Sequence, residues 1–267
     1  MQISSRIDLI NNFFSFYSFL SHWLKKVDGY SLQSPFVFQV YQGLQNYLKT
    51  ESVSSNQIEK VRNSLLASSQ KIQVLDLGAG SKKVNTHQRK VSDITRYSTS
   101  PKKYALLYQY FCQLTPAKQV IELGTCMGIT TQYLAKVTKG HLYTFEGSDE
   151  ILQIARSTGR LTNASYILGD ISSKLPKILS TIDQVDFALI DANHTYYGAT
   201  NYFGLLLNKI HKDSIIAIGD IYWSKEMSLA WKEIKNHPRV FLSLDFFECG
   251  IAFFNPKLKK DEFVLGL

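Results

Sequence analysis

The sequence predicts an α/β fold in which a mostly parallel sheet of seven strands is flanked by helices. Five short apolar segments, typical of strands buried on both faces, alternate with segments suited to helices. They lie at residues 120–123, 141–145, 165–168, 185–190 and 214–218. Two further strand candidates, at residues 240–247 and 251–254, are joined by a short turn and predict an antiparallel hairpin that closes the sheet.

An acidic residue stands at or just after the end of each of the five apolar segments. These residues are Glu122, Glu146, Asp170, Asp191 and Asp220. Ligands of open α/β sheets bind beyond the carboxyl ends of the strands, so the five carboxylates are expected to line one crevice. A single strand-end acid is a common turn residue, whereas five in succession favour a site. Glu146 stands where an αβ unit places a carboxylate for two ribose hydroxyls.

A glycine loop follows the first of these strands, within residues 119–135 (QVIELGTCMGITTQYLA). Gly124 and Gly128 frame a tight loop and a helix is expected from Ile129, so backbone N–H groups would point at the crevice. The loop matches neither the GxGxxG dinucleotide motif nor a phosphate-binding P-loop. The neighbouring Glu122 suits a ligand with a cationic amino group better than a pyrophosphate.

In their order and spacing, these motifs resemble those of class I S-adenosylmethionine-dependent methyltransferases over roughly residues 100–254. Within that superfamily, residues 190–196 (IDANHTY) and 219–224 (GDIYWS) resemble the fourth- and fifth-strand motifs of small-molecule O-methyltransferases. The resemblance implies a Rossmann-like methyltransferase sheet. It also implies an enzyme that transfers a methyl group from S-adenosylmethionine to a hydroxyl group of a small-molecule acceptor.

The resemblance further implies which residues hold the cofactor. Glu122 and the glycine loop would bind its methionine part, Glu146 its ribose, and Asp170 with Ile171 its adenine. The complete set of implied cofactor-binding residues is Glu122, Gly124, Thr125, Gly128, Glu146, Gly147, Asp170, Ile171 and Asp191. The segment at residues 99–104, which enters the helix before the first strand, is implied to touch the cofactor as well.

The candidate catalytic residues are Asp191, His194 and Asp220, which follow the fourth and fifth strands. An unperturbed histidine titrates near neutral pH, so His194 is a candidate general base for the acceptor hydroxyl. Alternatively, Asp191 and Asp220 bind a divalent metal ion that assists deprotonation, although Ile221 stands where similar metal-dependent enzymes have an asparagine. Four aromatic residues form either an acceptor wall or ordinary core: Tyr196, Tyr197, Tyr222 and Trp223.

Residues 1–99 are predicted to form a helical cap and lid segment, and residues 100–267 the cofactor-binding domain. Helices are expected after Ser34-Pro35, after a capping box of Ser54 and Gln57, and after Ser100-Pro101. A second glycine motif at residues 74–80 (VLDLGAG) is followed by a basic stretch without an apolar helix face. We therefore interpret this second motif as a strand-like piece and loop of the cap.

The N-terminal residues 12–24 are rich in aromatic side chains but too short and too polar for a transmembrane helix. They suit a helix that covers the core, lines a pocket or contributes to a homodimer. An interfacial membrane helix is the alternative, although its polar face would carry few cations.

The composition bounds the class of protein. With 267 residues and 45% hydrophobic content, the chain can bury one sizeable core. Three cysteines in no metal-ligand spacing predict a reduced, cytoplasmic location. The net charge of +8 would suit nucleic acid, but the cations are scattered and form no basic block. An RNA methyltransferase and a cofactor-binding interaction protein without turnover are the alternatives to a small-molecule enzyme.

Overall fold

The computed structural model describes residues 2–74 and 88–267, without the side chains of residues 2–13, 30, 52 and 53. The second glycine motif, from residue 75 onward, lies outside the described residues. The N-terminal part comprises α1 (Gln2–Lys25), a 3₁₀ turn (Gly29–Ser31), α2 (Pro35–Ser54), α3 (Asn56–Leu66), β1 (Lys71–Gln73), β2 (Gln88–Lys90) and α4 (Val91–Ser98). The two short strands β1 and β2, which precede and follow the second glycine motif, pair antiparallel, and the interpretation of the motif as a strand-like piece and loop stays a prediction.

The remaining elements alternate between helices and strands as far as α10. They are α5 (Lys102–Gln113), β3 (Gln119–Leu123), α6 (Ile129–Val137), β4 (His141–Glu146), α7 (Asp149–Thr158), β5 (Ala164–Leu168), α8 (Ile171–Leu179), β6 (Val185–Ile190), α9 (Tyr196–Leu207), β7 (Ile210–Gly219), α10 (Lys225–Asn236), β8 (Leu242–Asp245), β9 (Cys249–Phe253) and β10 (Asp261–Val264). All seven predicted strands are present, with their bounds shifted by a few residues.

The described residues form one large sheet of eight strands, in the order β10-β8-β9-β7-β6-β3-β4-β5. The strands from β3 to β7 are mutually parallel, and β9 runs antiparallel to β7 and β8. The predicted mostly parallel sheet with a closing hairpin is therefore confirmed. The eighth strand, β10, pairs parallel with β8 and was not predicted. It begins with the exposed acids Asp261 and Glu262, so it lacks the apolar run that marks the other strands.

The strand order reverses between β3 and β6, which are neighbours in the sheet but not in the sequence. From β3 the chain proceeds through β4 to β5 on one side, and from β6 it proceeds to β7 on the other. The loops after β3 and β6 therefore diverge, and they leave a crevice at the carboxyl ends of the strands.

Side chains of the central strands alternate between two hydrophobic cores, one on each face of the sheet. Val120 and Leu189 belong to a core shared with α5 and α6, whereas Ile121 and Ile190 belong to a core shared with α8, α9 and α10. Because both faces are covered, the strands are continuous apolar runs rather than patterns that alternate with polar residues.

The helix α2 joins the N-terminal part to the sheet. Its Leu44 is fully buried in the core that α5 shares with the sheet. The Tyr110 hydroxyl of α5 donates a hydrogen bond to the Val40 carbonyl at 2.9 Å. Because this helix shares a core with the sheet, the division into residues 1–99 and 100–267 stays a prediction.

Two of the predicted helix starts have different outcomes. α2 begins at Pro35, and the Ser34 hydroxyl accepts a hydrogen bond from the Val37 N–H at 3.4 Å. The capping box predicted for α3 is wrong, because the residue before α3 is Ser55 and its side chain makes no capping bond. The Ser54 hydroxyl instead donates to the backbone of the preceding helical turn.

None of the helices in the described part of the chain is long and apolar enough to cross a membrane.

Candidate active site

A cavity of about 590 Å³ occupies the crevice at the carboxyl ends of the parallel strands. The loops after β3 to β7 supply part of its lining. The N-terminal part supplies the rest, including Val74, Arg89 and Tyr97. The predicted segment at 99–104 borders the cavity with Thr99, Ser100, Pro101 and Tyr104.

Four of the five strand-end acids line this cavity. They are Glu146, Asp170, Asp191 and Asp220. Their convergence follows from the topology, because the parallel strands β4 to β7 end at one edge of the sheet. The expectation that all five acids share the crevice is wrong for Glu122.

Glu122 is fully buried and does not line the cavity. It is the penultimate residue of β3, and its side chain is enclosed between α6 and β4. Its Oε2 accepts hydrogen bonds from the hydroxyls of Thr131 and Thr144, both at 2.6 Å. Burial raises the pKa of Glu122 to about 8, against the opposing effect of these two hydrogen bonds. In this geometry the Glu122 side chain therefore does not reach the cavity.

The glycine loop contributes Gly124 and Cys126 to the cavity. Gly124 has a φ of +106°, and a Cβ atom there would lie 2.2 Å from the Asp191 carbonyl oxygen. The loop therefore needs glycine in order to pack against the end of β6. Thr125 and Gly128, both predicted to bind the cofactor, do not line the cavity, since Thr125 is buried and Gly128 caps α6.

Glu146 is held at the end of β4 by two backbone groups. Its carboxylate accepts hydrogen bonds from the N–H groups of Cys126 and Ser148, each at 3.0 Å. These bonds connect the loop after β3 to the loop after β4 and fix the orientation of the carboxylate. The adjacent Gly147 also lines the cavity, and its binding to the cofactor stays a prediction.

Asp170 and Ile171 lie side by side where β5 gives way to α8. Asp170 is the N-cap of that helix, and its side chain accepts a hydrogen bond from the Ser173 N–H at 2.9 Å. Both residues line the cavity, and their contact with the adenine of the cofactor stays a prediction. The capping bond fixes the Asp170 side chain at the entrance of α8.

Asp191 follows β6 and connects the sheet with the segment that enters α5. Its Oδ2 accepts a hydrogen bond from the Ser100 hydroxyl at 3.2 Å. A Cβ atom on Gly219 would lie only 2.2 Å from Asp191 Oδ1. The glycine at the end of β7 therefore leaves the space that the Asp191 carboxylate occupies.

His194 and Asp220 face each other across the crevice between the loops after β6 and β7. The Nε2 of His194 lies 3.6 Å from Asp220 Oδ2. Its Nδ1 is buried and has no hydrogen-bond partner among the described residues. The imidazole ring packs against Trp223, with 5.7 Å between the ring centroids. Asp220 has a positive φ of 55°, which is uncommon for a residue other than glycine and is frequent at functional turns.

Asp191, His194 and Asp220 form a cluster that has the chemistry of a metal site. One ligand atom from each residue lies within 4.8 Å of the other two. Ile221 is fully buried in the core, so the position that carries asparagine in similar metal-dependent enzymes adds no ligand here. Two carboxylates and one imidazole suit a transition metal better than Mg²⁺, which prefers oxygen ligands.

Of the four aromatic residues for which an acceptor wall or ordinary core packing was expected, Trp223 lines the cavity. The Tyr222 hydroxyl donates instead to Asp245 at 2.7 Å, below the crevice. Tyr196 hydrogen-bonds Glu233 on α10, and Tyr197 is 74% exposed. The side chains of Tyr196, Tyr197 and Tyr222 are therefore directed away from the cavity.

Several cavity residues were not predicted from the sequence. They are Arg89, Arg96, Tyr97, Tyr108, Tyr202 and Glu248. No short motif marks them, because they come from the cap, from two helices and from the turn between β8 and β9. Tyr108 and Tyr202 have the pattern of core residues in their helices, so their access to the cavity depends on how those helices are placed.

The fold and the position of the crevice agree with those expected of a class I methyltransferase fold. Residues 121–221 match a family model described as a methyltransferase domain. The match covers β3 to the end of β7, which includes the four acids that line the cavity. Over these residues the predicted resemblance to methyltransferases is confirmed.

Solved structures with the same fold include several methyltransferases. An O-methyltransferase from Bacillus cereus in complex with SAH is 15% identical, with a TM-score of 0.55 over 79% of this chain and 99% of that one. The O-methyltransferase TomG from Streptomyces achromogenes, involved in tomaymycin synthesis and solved with SAM, is 14% identical, with a TM-score of 0.51 over 60% and 82%. The SAH-bound methyltransferase PaMTH1 from Podospora anserina is 15% identical, with a TM-score of 0.51 over 59% and 80%. No curated protein matches the sequence significantly.

Proposed function

We propose that this chain is an S-adenosylmethionine-dependent methyltransferase that acts on a hydroxyl group of a small molecule. The observation that carries the proposal is the cluster of Asp191, His194 and Asp220 in the wall of the crevice. Methylation of a hydroxyl requires removal of its proton, and a histidine beside two carboxylates can serve as the base.

The lining of the cavity fits the proposed cofactor. Its volume of about 590 Å³ lies within the range of small-molecule sites. The strand-end carboxylates complement the positive charge of a sulfonium compound, and Glu146 is oriented to accept hydrogen bonds from ribose hydroxyls. Phe145, Ile151 and Ile171 add apolar surface for a base. Glu122, Thr125 and Gly128 would support the loop from below rather than contact the cofactor.

The residues of the cluster have separate roles in this proposal. When bound, S-adenosylmethionine supplies the electrophilic methyl group. His194 Nε2 would accept the acceptor's proton, and Asp220 at 3.6 Å would stabilise the resulting imidazolium. Asp191, held by Ser100, would orient the methionine end of the cofactor or the acceptor. Alternatively, the three side chains would hold a metal ion that lowers the pKa of the hydroxyl.

The test measures cofactor binding and turnover separately. We expect calorimetry to detect binding of S-adenosylmethionine, and methyl transfer to be found with phenols or sugars rather than with RNA. We expect His194→Gln to retain the cofactor affinity but to lower kcat by about 10²–10⁴-fold, the range of general-base catalysis. Exhaustive chelation separates the two mechanisms, because a histidine base alone would survive it.

The matched control is His141→Gln. His141 lies at the opposite end of the sheet, where its ring contacts the Ser165 hydroxyl at 2.8 Å. We expect this variant to keep both affinity and turnover. Unchanged turnover in His194→Gln would contradict the base assignment, and a wild-type protein that ignores S-adenosylmethionine would contradict the function itself.

The two other functions have their own outcomes in the same experiments. Methyl transfer to RNA alone would favour the nucleic-acid enzyme, and cofactor binding without transfer to any acceptor would favour an interaction protein.

The three cysteines, free thiols in the described part of the chain, support the proposal of a reducing, cytoplasmic location.

A further inference from the structure

The helix α1 exposes large apolar residues and turns small or polar residues toward the protein. The exposed side chains, between 41% and 69% accessible, are Phe16, Tyr17, Phe19, Leu20, Trp23 and Leu24, and we call this set the α1 stripe. On the opposite side, Ser18 and His22 are buried at 7% and 8% exposure. A surface helix normally has the reverse arrangement, so the α1 stripe is a surface that is suited to burial against a partner.

The spacing of the α1 stripe is that of a helix-packing seam. Tyr17, Leu20 and Leu24 are separated by three and then four residues, the spacing of the a and d positions of a heptad. In the part of α1 whose side chains are described, this three-four spacing predicts packing against another helix.

The area of the α1 stripe matches what a specific interface needs. Since an aromatic side chain can bury about 150–250 Å², the six partly exposed residues offer on the order of 700 Å² of apolar surface. A standard interface buries about 800 Å² on each partner. The stripe also exceeds the largest apolar patch of a typical monomer, which is about 300–600 Å².

The contacts of α1 hold the stripe in one orientation. Phe19 and His22 both pack edge-on against Phe247, with ring centroids 5.5 Å and 5.4 Å apart. His22 Nε2 also lies 3.4 Å from the buried Asp245 carboxylate. The side of α1 that carries Ser18 and His22 is therefore attached to the rest of the chain, with Phe19 at its border, and the other five residues of the stripe remain available.

We propose that the α1 stripe is a self-association surface, and that two copies of this chain form a dimer by packing their α1 helices together about a two-fold axis. A second copy presents the same apolar seam, so the surface is self-complementary. A membrane surface fits less well, because the only cations in residues 14–28 are Lys25 and Lys26, which follow the stripe rather than flank it. The inference is independent of the proposed function.

The test compares two matched substitutions in the full-length chain by sedimentation equilibrium over a range of protein concentrations. We expect the wild type to sediment as a dimer and Leu20→Glu to sediment as a monomer, because the charge would lie at the centre of the seam. Leu229→Glu is the control, since Leu229 is 49% exposed on α10, far from the stripe in sequence. It should remain a dimer. Circular dichroism of both variants should match the wild type, because both residues are on the surface.

Other results would overturn the proposal. A wild type that is monomeric at all concentrations would do so, as would a Leu20→Glu protein that remains a dimer. Co-sedimentation with vesicles of anionic lipid distinguishes the membrane alternative. A monomer that binds such vesicles through the stripe, and loses this binding in Leu20→Glu, would assign the surface to a lipid bilayer instead.

Discussion

Glu122 is a buried carboxyl group whose charge changes near physiological pH, because burial raises its pKa to about 8. In the unfolded chain the pKa of a glutamate is about 4.3. Between these two values the folded protein holds a proton that the unfolded chain does not, so its stability falls as the pH rises. We expect Glu122→Gln, which cannot ionise, to remove this loss and to be more stable than the wild type at pH 9.

Urea unfolding at pH 5, 7 and 9 checks this prediction for Glu122→Gln. The control is Glu226→Gln on the exposed first turn of α10, which should leave the pH dependence of the wild type in place. If Glu122→Gln and the wild type lost stability in parallel between pH 5 and pH 9, the protonated state of Glu122 would be refuted.

Single residues also show where sequence reasoning reached its limit at the site. The positions of Glu146, Asp170, Asp191 and Asp220 could be predicted, because residues at or directly after the carboxyl ends of parallel strands share one edge of the sheet. Glu122 could not be distinguished from them, since one residue decides whether a side chain lies beyond the strand or inside the helix layer. Tyr222 and Trp223 are adjacent in sequence, yet the turn directs one to Asp245 and the other to the cavity.

At the scale of elements, the turn between β3 and α6 depends on a glycine that packs against β6. We expect Gly124→Ala to destabilise the fold by about 1–3 kcal/mol through its positive φ, and by more through the contact with the Asp191 carbonyl.

A glycine-to-alanine substitution in the middle of α9 should act in the opposite direction. At Gly204 no described atom lies within 4 Å of an added Cβ, so Gly204→Ala should stabilise the protein by about 0.5–1 kcal/mol.

Denaturant midpoints of the two alanine variants measure this difference, and equal effects would contradict it. Gly124→Ala should also weaken binding of S-adenosylmethionine, because a shift of the loop carries Cys126 and its bond to Glu146 with it. Gly204→Ala should bind like the wild type, because α9 carries this glycine on its exposed side.

Elements with a strong apolar pattern were predicted best, and the reason is physical. The strands β3 to β7 are buried on both faces, so their sequences are forced to be continuous apolar runs. The edge strand β10 escapes this constraint, because half of its residues face solvent. The capping box before α3 failed for a similar reason, since a surface helix can begin one residue later at little cost.

At the scale of the whole molecule, a buried carboxylate joins elements from both ends of the chain. Asp245 at the end of β8 accepts hydrogen bonds from the Tyr222 hydroxyl at 2.7 Å, the Trp231 indole at 3.3 Å and the Phe247 N–H at 3.0 Å. His22 of α1 is its fourth neighbour. Burial alone would raise the pKa of Asp245, but the hydrogen bonds from His22, Phe247 and Tyr222 outweigh it and lower the pKa.

This lowered pKa predicts how acid acts on the fold. The stabilisation from Asp245 is present above its unfolded pKa, near ~3.9, and is lost as the pH falls through the lower folded value. We expect Asp245→Asn to cost on the order of 2 kcal/mol at pH 7, as for hydrogen bonds to a charged group. The cost should shrink only as the pH falls below the unfolded pKa and through the lower folded value, where the folded wild type becomes protonated as well.

The control for this variant is Asp213→Asn. Asp213 pairs with Lys212 on the surface, and such exposed pairs contribute about 0–1 kcal/mol. Urea unfolding at pH 7 and pH 3 measures both variants against the wild type. Because the carboxylate links α1 to the end of the sheet, Asp245→Asn should also loosen α1, which hydrogen exchange of residues 14–25 would detect. An Asp245→Asn protein with wild-type stability at pH 7 would refute the role of this carboxylate in joining the two ends of the chain.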